Sequence, residues 1–150
     1  MSDHSTVHET FVVERTYDAA PSRVFAAWAS REAKAKWFVG TMEGEDDYAL
    51  DFRIDGVEHA RGGPDGGPVY SYEARYYDIV PQERIAYTYV MDADKVRISV
   101  SLAVVEFEAA GSGTRLRITD HGVYLDGGDN AAQRKHGVEA QMDKLGTTIS

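Results

Sequence analysis

The side chains that could move protons are Asp51, Arg53, His59, Arg75, Asp78, Asp120 and His121, and all of them fall in or beside segments that read as strands. Acid–base chemistry requires such groups to meet in a desolvated site, within hydrogen-bond reach of a substrate. None stands in a spacing diagnostic of a particular reaction, so no catalytic residue is assigned. Asp120 and His121 are adjacent on a strand and project to opposite faces, which excludes a direct dyad. His59 shares strand parity with Val57 and counts as an inward residue, either a pocket group or a hydrogen-bonded structural histidine. Arg15, in parity with Val13 and Tyr17, reads most simply as a rim arginine paired with a carboxylate.

Tyrosine is the other chemical signal. Six of the nine tyrosines lie between Tyr70 and Tyr89. Alternation sets Tyr70, Tyr72 and Tyr76 on one face of their strand, and Tyr87 and Tyr89 with Ile85 on one face of the next. If those faces wall a cavity, it is apolar with several hydroxyls, which suits a flat aromatic or oxygenated ligand better than a bare acyl chain, because buried hydroxyls need partners. The same residues also suit half-exposed positions on the outside of a sheet. Trp37 and Phe38 are the candidates for the mouth of such a cavity, and Trp28 and Trp37 also read as core.

Metal, phosphate and nucleophile motifs fail. His4 and His8 have helical spacing but no third ligand. Asp126 to Gly137 has glycine at the third and twelfth positions of a would-be calcium loop, where oxygen ligands are needed. Gly62 to Pro68 lacks the Gly-Lys-Ser/Thr of a phosphate loop. There is no cysteine, and Ser22, Ser71 and Ser101 show no hydrolase elbow. No metal or cofactor is expected.

Composition narrows the partners. The chain has 150 residues, 43% hydrophobic and 27% charged, with a formal net charge of −9. That length fits one domain, 1–150, with one core and residues 1–10 expected to be flexible. The negative balance repels phosphate backbones and anionic lipid, so neither nucleic acid nor membrane is an expected partner. Lys34 and Lys36 read as a solvated pair on one short helix, and Glu43 to Asp47 as a solvated acidic loop. No apolar run approaches the roughly 20 residues of a membrane span. With no secretory signal and no cysteine, the expected location is cytoplasmic.

These groups must be positioned by the following elements. Val12 to Tyr17 alternates as a strand, and Pro21 opens a helix bearing Val24, Phe25 and Trp28. Ser30 caps a second helix ending near Phe38. Strands follow at Tyr48 to Ile54, Val57 to Arg61, Val69 to Val80, Arg84 to Met91, Lys95 to Glu108 and Thr114 to His121. Asp55-Gly56 and the Gly/Pro-rich Gly62 to Pro68 mark turns. Along Lys95 to Glu108, Val96, Ile98, Val100, Leu102 and Val104 point one way and Val105 and Phe107 the other, which predicts a bulge or an edge near Val104. Asp129 or Asn130 caps a final helix with Val138, Met142 and Leu145 on one stripe. Gly137 inside it predicts close packing or a bend.

A strand, two short helices, six strands and a closing helix is the order of the α+β helix-grip fold, a curved antiparallel sheet wrapped around a long C-terminal helix. Residues 15–38 (RTYDAAPSRVFAAWASREAKAKWF), 51–56 (DFRIDG), 76–89 (YYDIVPQERIAYTY), 113–119 (GTRLRIT) and 136–145 (HGVEAQMDKL) carry a closer likeness. On these residues the chain resembles the SRPBCC (START-like) superfamily, in the branch similar to the activator of the heat-shock-chaperone ATPase. Two departures stand out: Asp55-Gly56 where the family often has two glycines, and Trp37-Phe38 where it often has two tryptophans.

The resemblance implies a cavity between sheet and C-terminal helix, and the expected function is binding of a hydrophobic or aromatic small molecule there. The residues expected to contact it are Trp37, Phe38, His59, Tyr72, Tyr76, Tyr87, Tyr89, Val100, Met142 and Leu145. The superfamily also contains aromatic polyketide cyclases and dehydratases, which makes an enzyme of that type the first alternative. A chaperone co-regulator or stress-response interaction module is the second, disfavoured because the chain lacks the additional N-terminal region of the full eukaryotic activators. Gly-rich loops and an edge strand permit a homodimer.

Overall fold

The computed structural model describes residues 3–39 and 47–149, so the acidic run expected as a loop lies outside it except for Asp47. The first strand, β1 (Thr6–Tyr17), leads into α1 (Pro21–Ala29), where Pro21 presets the helical φ and Val24, Phe25, Ala27 and Trp28 are buried. Ser30 then caps α2 (Arg31–Ala35), its Oγ accepting from the Ala33 amide at 3.1 Å. The strands β2 (Asp47–Leu50), β3 (Val57–Gly62), β4 (Tyr70–Val80), β5 (Arg84–Ala93), β6 (Val96–Ala110) and β7 (Gly113–Leu125) follow, and α3 (Ala131–Ile149) closes the chain.

All seven strands form one antiparallel sheet in the order β1-β7-β6-β5-β4-β3-β2. Strands β2 to β7 pair as successive neighbours, while the α1–α2 crossover carries the chain from β1 at one edge to β2 at the other. The sheet curves around α3, which gives the helix-grip fold. Tyr17 pins that helix to β1: its hydroxyl donates to the Met142 carbonyl at 2.8 Å. Its ring passes so close to Gly146 that a Cβ there would lie 3.2 Å from Cε1. Arg15 pairs with Asp143 at 2.7 Å on the rim.

Several boundaries differ from the sequence reading. β1 begins at Thr6, paired with Leu125, six residues before the strand start at Val12 that alternation suggested. β2 stops at Leu50 because the chain turns: Gly56 N donates to Arg53 O at 2.8 Å and Asp55 sits at φ 68°. A Cβ on Gly56 would meet the Asp51 carbonyl oxygen at 2.1 Å, so only glycine fits there. Ile54 is left 53% exposed.

The bulge in β6 lies at Ile98 instead of Val104, since Met91 pairs with Ser99 and Asp92 with Arg97. A one-residue slip exchanges the faces of a strand. Ser99, Ser101, Ala103, Val105 and Phe107 therefore face the core, and Val100 and Leu102 are each 43% exposed on the outer face. Branched apolar residues favour strands on either face, which is why alternation of hydrophobicity pointed the wrong way.

Candidate functional site

Lys34 belongs to the single-turn helix α2, and the fold turns it inward. Its side chain is 1% exposed, and Nζ donates to Glu58 Oε1 at 2.7 Å and to the Tyr76 hydroxyl at 3.2 Å. Glu58, on β3, also accepts from Tyr76 at Oε1 and from Tyr48 at Oε2, each at 2.7 Å. Rings of Trp28, Trp37, Phe38, Tyr76 and Tyr87 surround the ammonium with centroids 4.7–5.9 Å away. Burial pushes the Lys34 pKa down, opposed by the charge and hydrogen bond of Glu58. The expectation of a solvated Lys34 was wrong because a one-turn helix is too short to show which of its faces packs inward.

A second polar cluster sits where α3 begins. Asn130 caps the helix through Oδ1, which accepts from the Gln133 amide at 2.9 Å, and one turn on Arg134 turns under the sheet. Arg134 donates to Tyr89 Oη at 3.0 Å, to Ser99 Oγ at 2.8 Å and to Asp129 Oδ2 at 2.7 Å. Tyr89 passes the chain on, donating to Asp120 Oδ2 at 2.5 Å. Burial raises the Asp120 pKa, against the hydrogen bond from Tyr89 and the charges of Arg134 and His121. Asp120 is 2% exposed, and among the described residues its Oδ1 has no hydrogen-bond partner. His121 faces outward beside Thr10, as strand parity requires.

Between the two clusters lies a cavity of about 490 Å³ under α3. Trp28, Trp37, Phe38, Tyr72, Tyr87 and Met142 give it an apolar wall, with Lys34, Tyr89, Asp120 and Arg134 as the polar groups. Gly62, Gly63 and Pro64 of the β3–β4 hairpin, with exposed Gln133 and Gly137 of α3, form the rim. Trp37 and Phe38 are 1% and 7% exposed and so belong to the wall, not the mouth. Gly137 neither packs closely nor relieves a clash: a Cβ there would meet nothing within 4 Å.

Of the ten residues the sequence singled out, Trp37, Phe38, Tyr72, Tyr87, Tyr89 and Met142 line this cavity. Tyr76 and Leu145 are buried behind it. His59 and Val100 are corrections: His59 stands 3.9 Å from Asp47 on the outer face with its side chain 42% exposed, and the Ile98 bulge turns Val100 outward. Of the acid–base candidates only Asp120 reaches the cavity; Asp51 pairs with Arg53 and Asp78 with Arg84 at the surface. Glu58 and Arg134 were missed. The signal for Glu58 was available in the Glu58, Ala60, Gly62 parity, whose small residues suit a tightly curved inner face. Among the described residues no three His, Cys, Asp or Glu side chains are grouped to hold a metal, and no helix is long and apolar enough to cross a membrane.

A curved seven-stranded antiparallel sheet gripping a C-terminal helix, with two short helices after the first strand, is the architecture of the SRPBCC superfamily. Within it the chain belongs to the family described as Activator of Hsp90 ATPase homolog 1-like protein, which matches residues 18–150. Among solved structures, an uncharacterized protein from Rhizobium leguminosarum is 41% identical, with 97% of each chain covered and a TM-score of 0.90. Mll3558 from Rhizobium loti is 36% identical over 97% of this chain and 99% of its own, also at 0.90. CalU16 from Micromonospora echinospora shares the fold at 18% identity, covering 98% of this chain and 86% of its own with a TM-score of 0.62. No protein with a curated description matches the chain.

Proposed function

We propose that the protein binds a flat hydrophobic or aromatic small molecule in the cavity between the sheet and α3. The observation that carries this is the 490 Å³ space walled by tryptophan, phenylalanine and tyrosine rings, a volume within the roughly 300–1,000 Å³ of small-molecule sites. Trp37, Phe38, Tyr72, Tyr87, Tyr89 and Met142 are the proposed contacts. A thermal-shift screen against flavonoids, multi-ring polyketides, sterols and fatty acids tests it. A ligand at about 100 times its Kd adds roughly 2.7 kcal/mol of stability. Stabilisation by the aromatic sets is the expected result, and silence across all four removes the reading.

Gly137 offers a sharper test. Gly137→Leu removes the helical penalty of glycine, worth about 0.8–1 kcal/mol against a good helix former, and places a side chain at the rim where a Cβ meets nothing. The variant should melt higher than the wild type and yet lose ligand binding. A stabilised variant with unchanged affinity would mean that ligands do not enter past α3.

An enzyme of the aromatic polyketide cyclase or dehydratase type is the second reading, favoured by Asp120, a buried carboxyl group on the cavity wall whose pKa burial raises, as a general acid or base requires. Turnover of a polyketide that binds, abolished in Asp120→Asn, would establish it. Self-association is proposed for the outer face, where Val100 and Leu102 are exposed on one strand. Sedimentation should show a dimer for the wild type and a monomer for Val100→Asp; a monomeric wild type ends that proposal.

A further inference from the structure

The polar corner of the cavity makes a chemical demand on its occupant. Asp120 lines the cavity, and its two carboxylate oxygens are used unequally. Oδ2 accepts the short hydrogen bond from Tyr89, while Oδ1 is buried and has no partner among the described residues. Leaving a buried carboxylate oxygen unsatisfied costs more than a typical hydrogen bond contributes. The charged and phenolic groups that bond Asp120 and its neighbours already have partners. Arg134 is held by Tyr89, Ser99 and Asp129, and Tyr89 is committed to Oδ2.

The surroundings of Asp120 are polar in the same sense. Asp120, Gly122 and Tyr124 alternate on the inner face of β7, and Ser101 of β6 pairs opposite Gly122. Ser101 Oγ and Tyr124 Oη are also buried without partners. Gly122 makes room for the Tyr124 ring, since a Cβ there would fall 3.0 Å from its hydroxyl. This corner therefore contrasts with the ring-lined wall around Lys34, where Glu58 holds the ammonium and both tyrosine hydroxyls in a closed set of bonds.

We propose that the ligand is a phenol-type aromatic, whose ring system lies against Tyr72, Tyr87 and Met142 and whose hydroxyl donates a hydrogen bond to Asp120 Oδ1. This rests on the ligand-binding reading above and adds a polarity to it: the buried end of the molecule is a donor. A ligand donor that pairs Oδ1 removes the cost of a buried unsatisfied acceptor, so the donor should dominate selection between otherwise similar ring systems. A methyl ether of the same skeleton has no proton to give and leaves Oδ1 unpaired.

Matched pairs test this: 2-naphthol with 2-methoxynaphthalene, and 7-hydroxyflavone with 7-methoxyflavone, titrated by quenching of Trp28 and Trp37 fluorescence. The wild type should bind each phenol at least about tenfold more tightly than its ether, in keeping with the cost of an unpaired buried acceptor. In Asp120→Asn, whose amide can present a donor to the ligand, the ratio should fall to about one or invert. A preference that persists unchanged in a folded Asp120→Asn is one of size and overturns the assignment. Equal binding of phenol and ether by the wild type also overturns it, leaves the cavity reading standing, and needs no variant to fold. Failure of all four compounds to bind removes both.

Discussion

Raising the pH from 10 to 11 should unfold this protein, with most of its tyrosines ionising in the same step. Burial raises the hydroxyl pKa of Tyr17, Tyr48, Tyr72, Tyr76, Tyr87 and Tyr89 well above 10, and that of Tyr124 up to about 12. A group whose folded pKa is raised holds its proton longer in the native state, so the native state binds more protons than the unfolded one above pH 10. Stability from these groups is complete below that pH and falls as pH rises. At one unit above the unfolded value each suppressed ionisation costs about 1.4 kcal/mol, and the six raised furthest together reach roughly 8 kcal/mol, comparable to the whole stability of a domain. Absorbance at 295 nm and circular dichroism followed together should show one steep transition shared by both signals. Nine tyrosines titrating smoothly near pH 10 with the dichroism intact would mean that the ring cluster is open to water.

Glu58→Ala is expected to be the most damaging single substitution. It strands the Lys34 ammonium in a ring-lined interior and takes the acceptor from both Tyr48 and Tyr76. Breaking a buried ion pair from one side costs about 3–5 kcal/mol, which for a chain of this length lowers Tm by roughly 10 °C. Lys34→Met should cost less, because Glu58 keeps two tyrosine donors. The double variant Lys34→Met/Glu58→Gln should recover part of the loss, since no charge is then left uncompensated. Urea denaturation of the wild type, Glu58→Ala, Lys34→Met and the double variant measures the three losses. A loss below about 1 kcal/mol for Glu58→Ala, the value of an exposed pair, would contradict the burial of the site.

The balance of the two polar clusters explains how one small domain tolerates an internal cavity. The Lys34–Glu58 pair closes on itself and ties α2 to β3 and β4, so the wall behind the rings is anchored by hydrogen bonds as well as by packing. The Arg134 cluster ties the start of α3 to β5 and β6, while Tyr17 and Gly146 fix its far end to β1. The helix is therefore held at both ends and leaves a gap in the middle, beside Gly137 and Val138.

Sequence alone determined the order of the elements. Pro21, Ser30, Asn130 and the turn residues act locally, so helix starts and hairpins follow from the residue types themselves. It also grouped Tyr72 with Tyr76, and Tyr87 with Tyr89, on single strand faces, because alternation is unbroken at those positions, while leaving open whether those faces lie inside or outside the sheet. What it could not show depended on contacts between distant segments. Val100 was assigned to the wrong face because the position of the bulge at Ile98 is set by pairing between β5 and β6, whereas the parity switch marked it six residues later, near Val104. Lys34 and Glu58 were invisible as a pair, since each is an ordinary surface residue until α2 folds over β3 and the two charges are desolvated together. Arg134 of α3 and Asp120 of β7 likewise come together only through Tyr89 of β5. The tertiary structure decided the chemistry of the cavity, because a buried charge can be placed only where the rest of the chain supplies its partner.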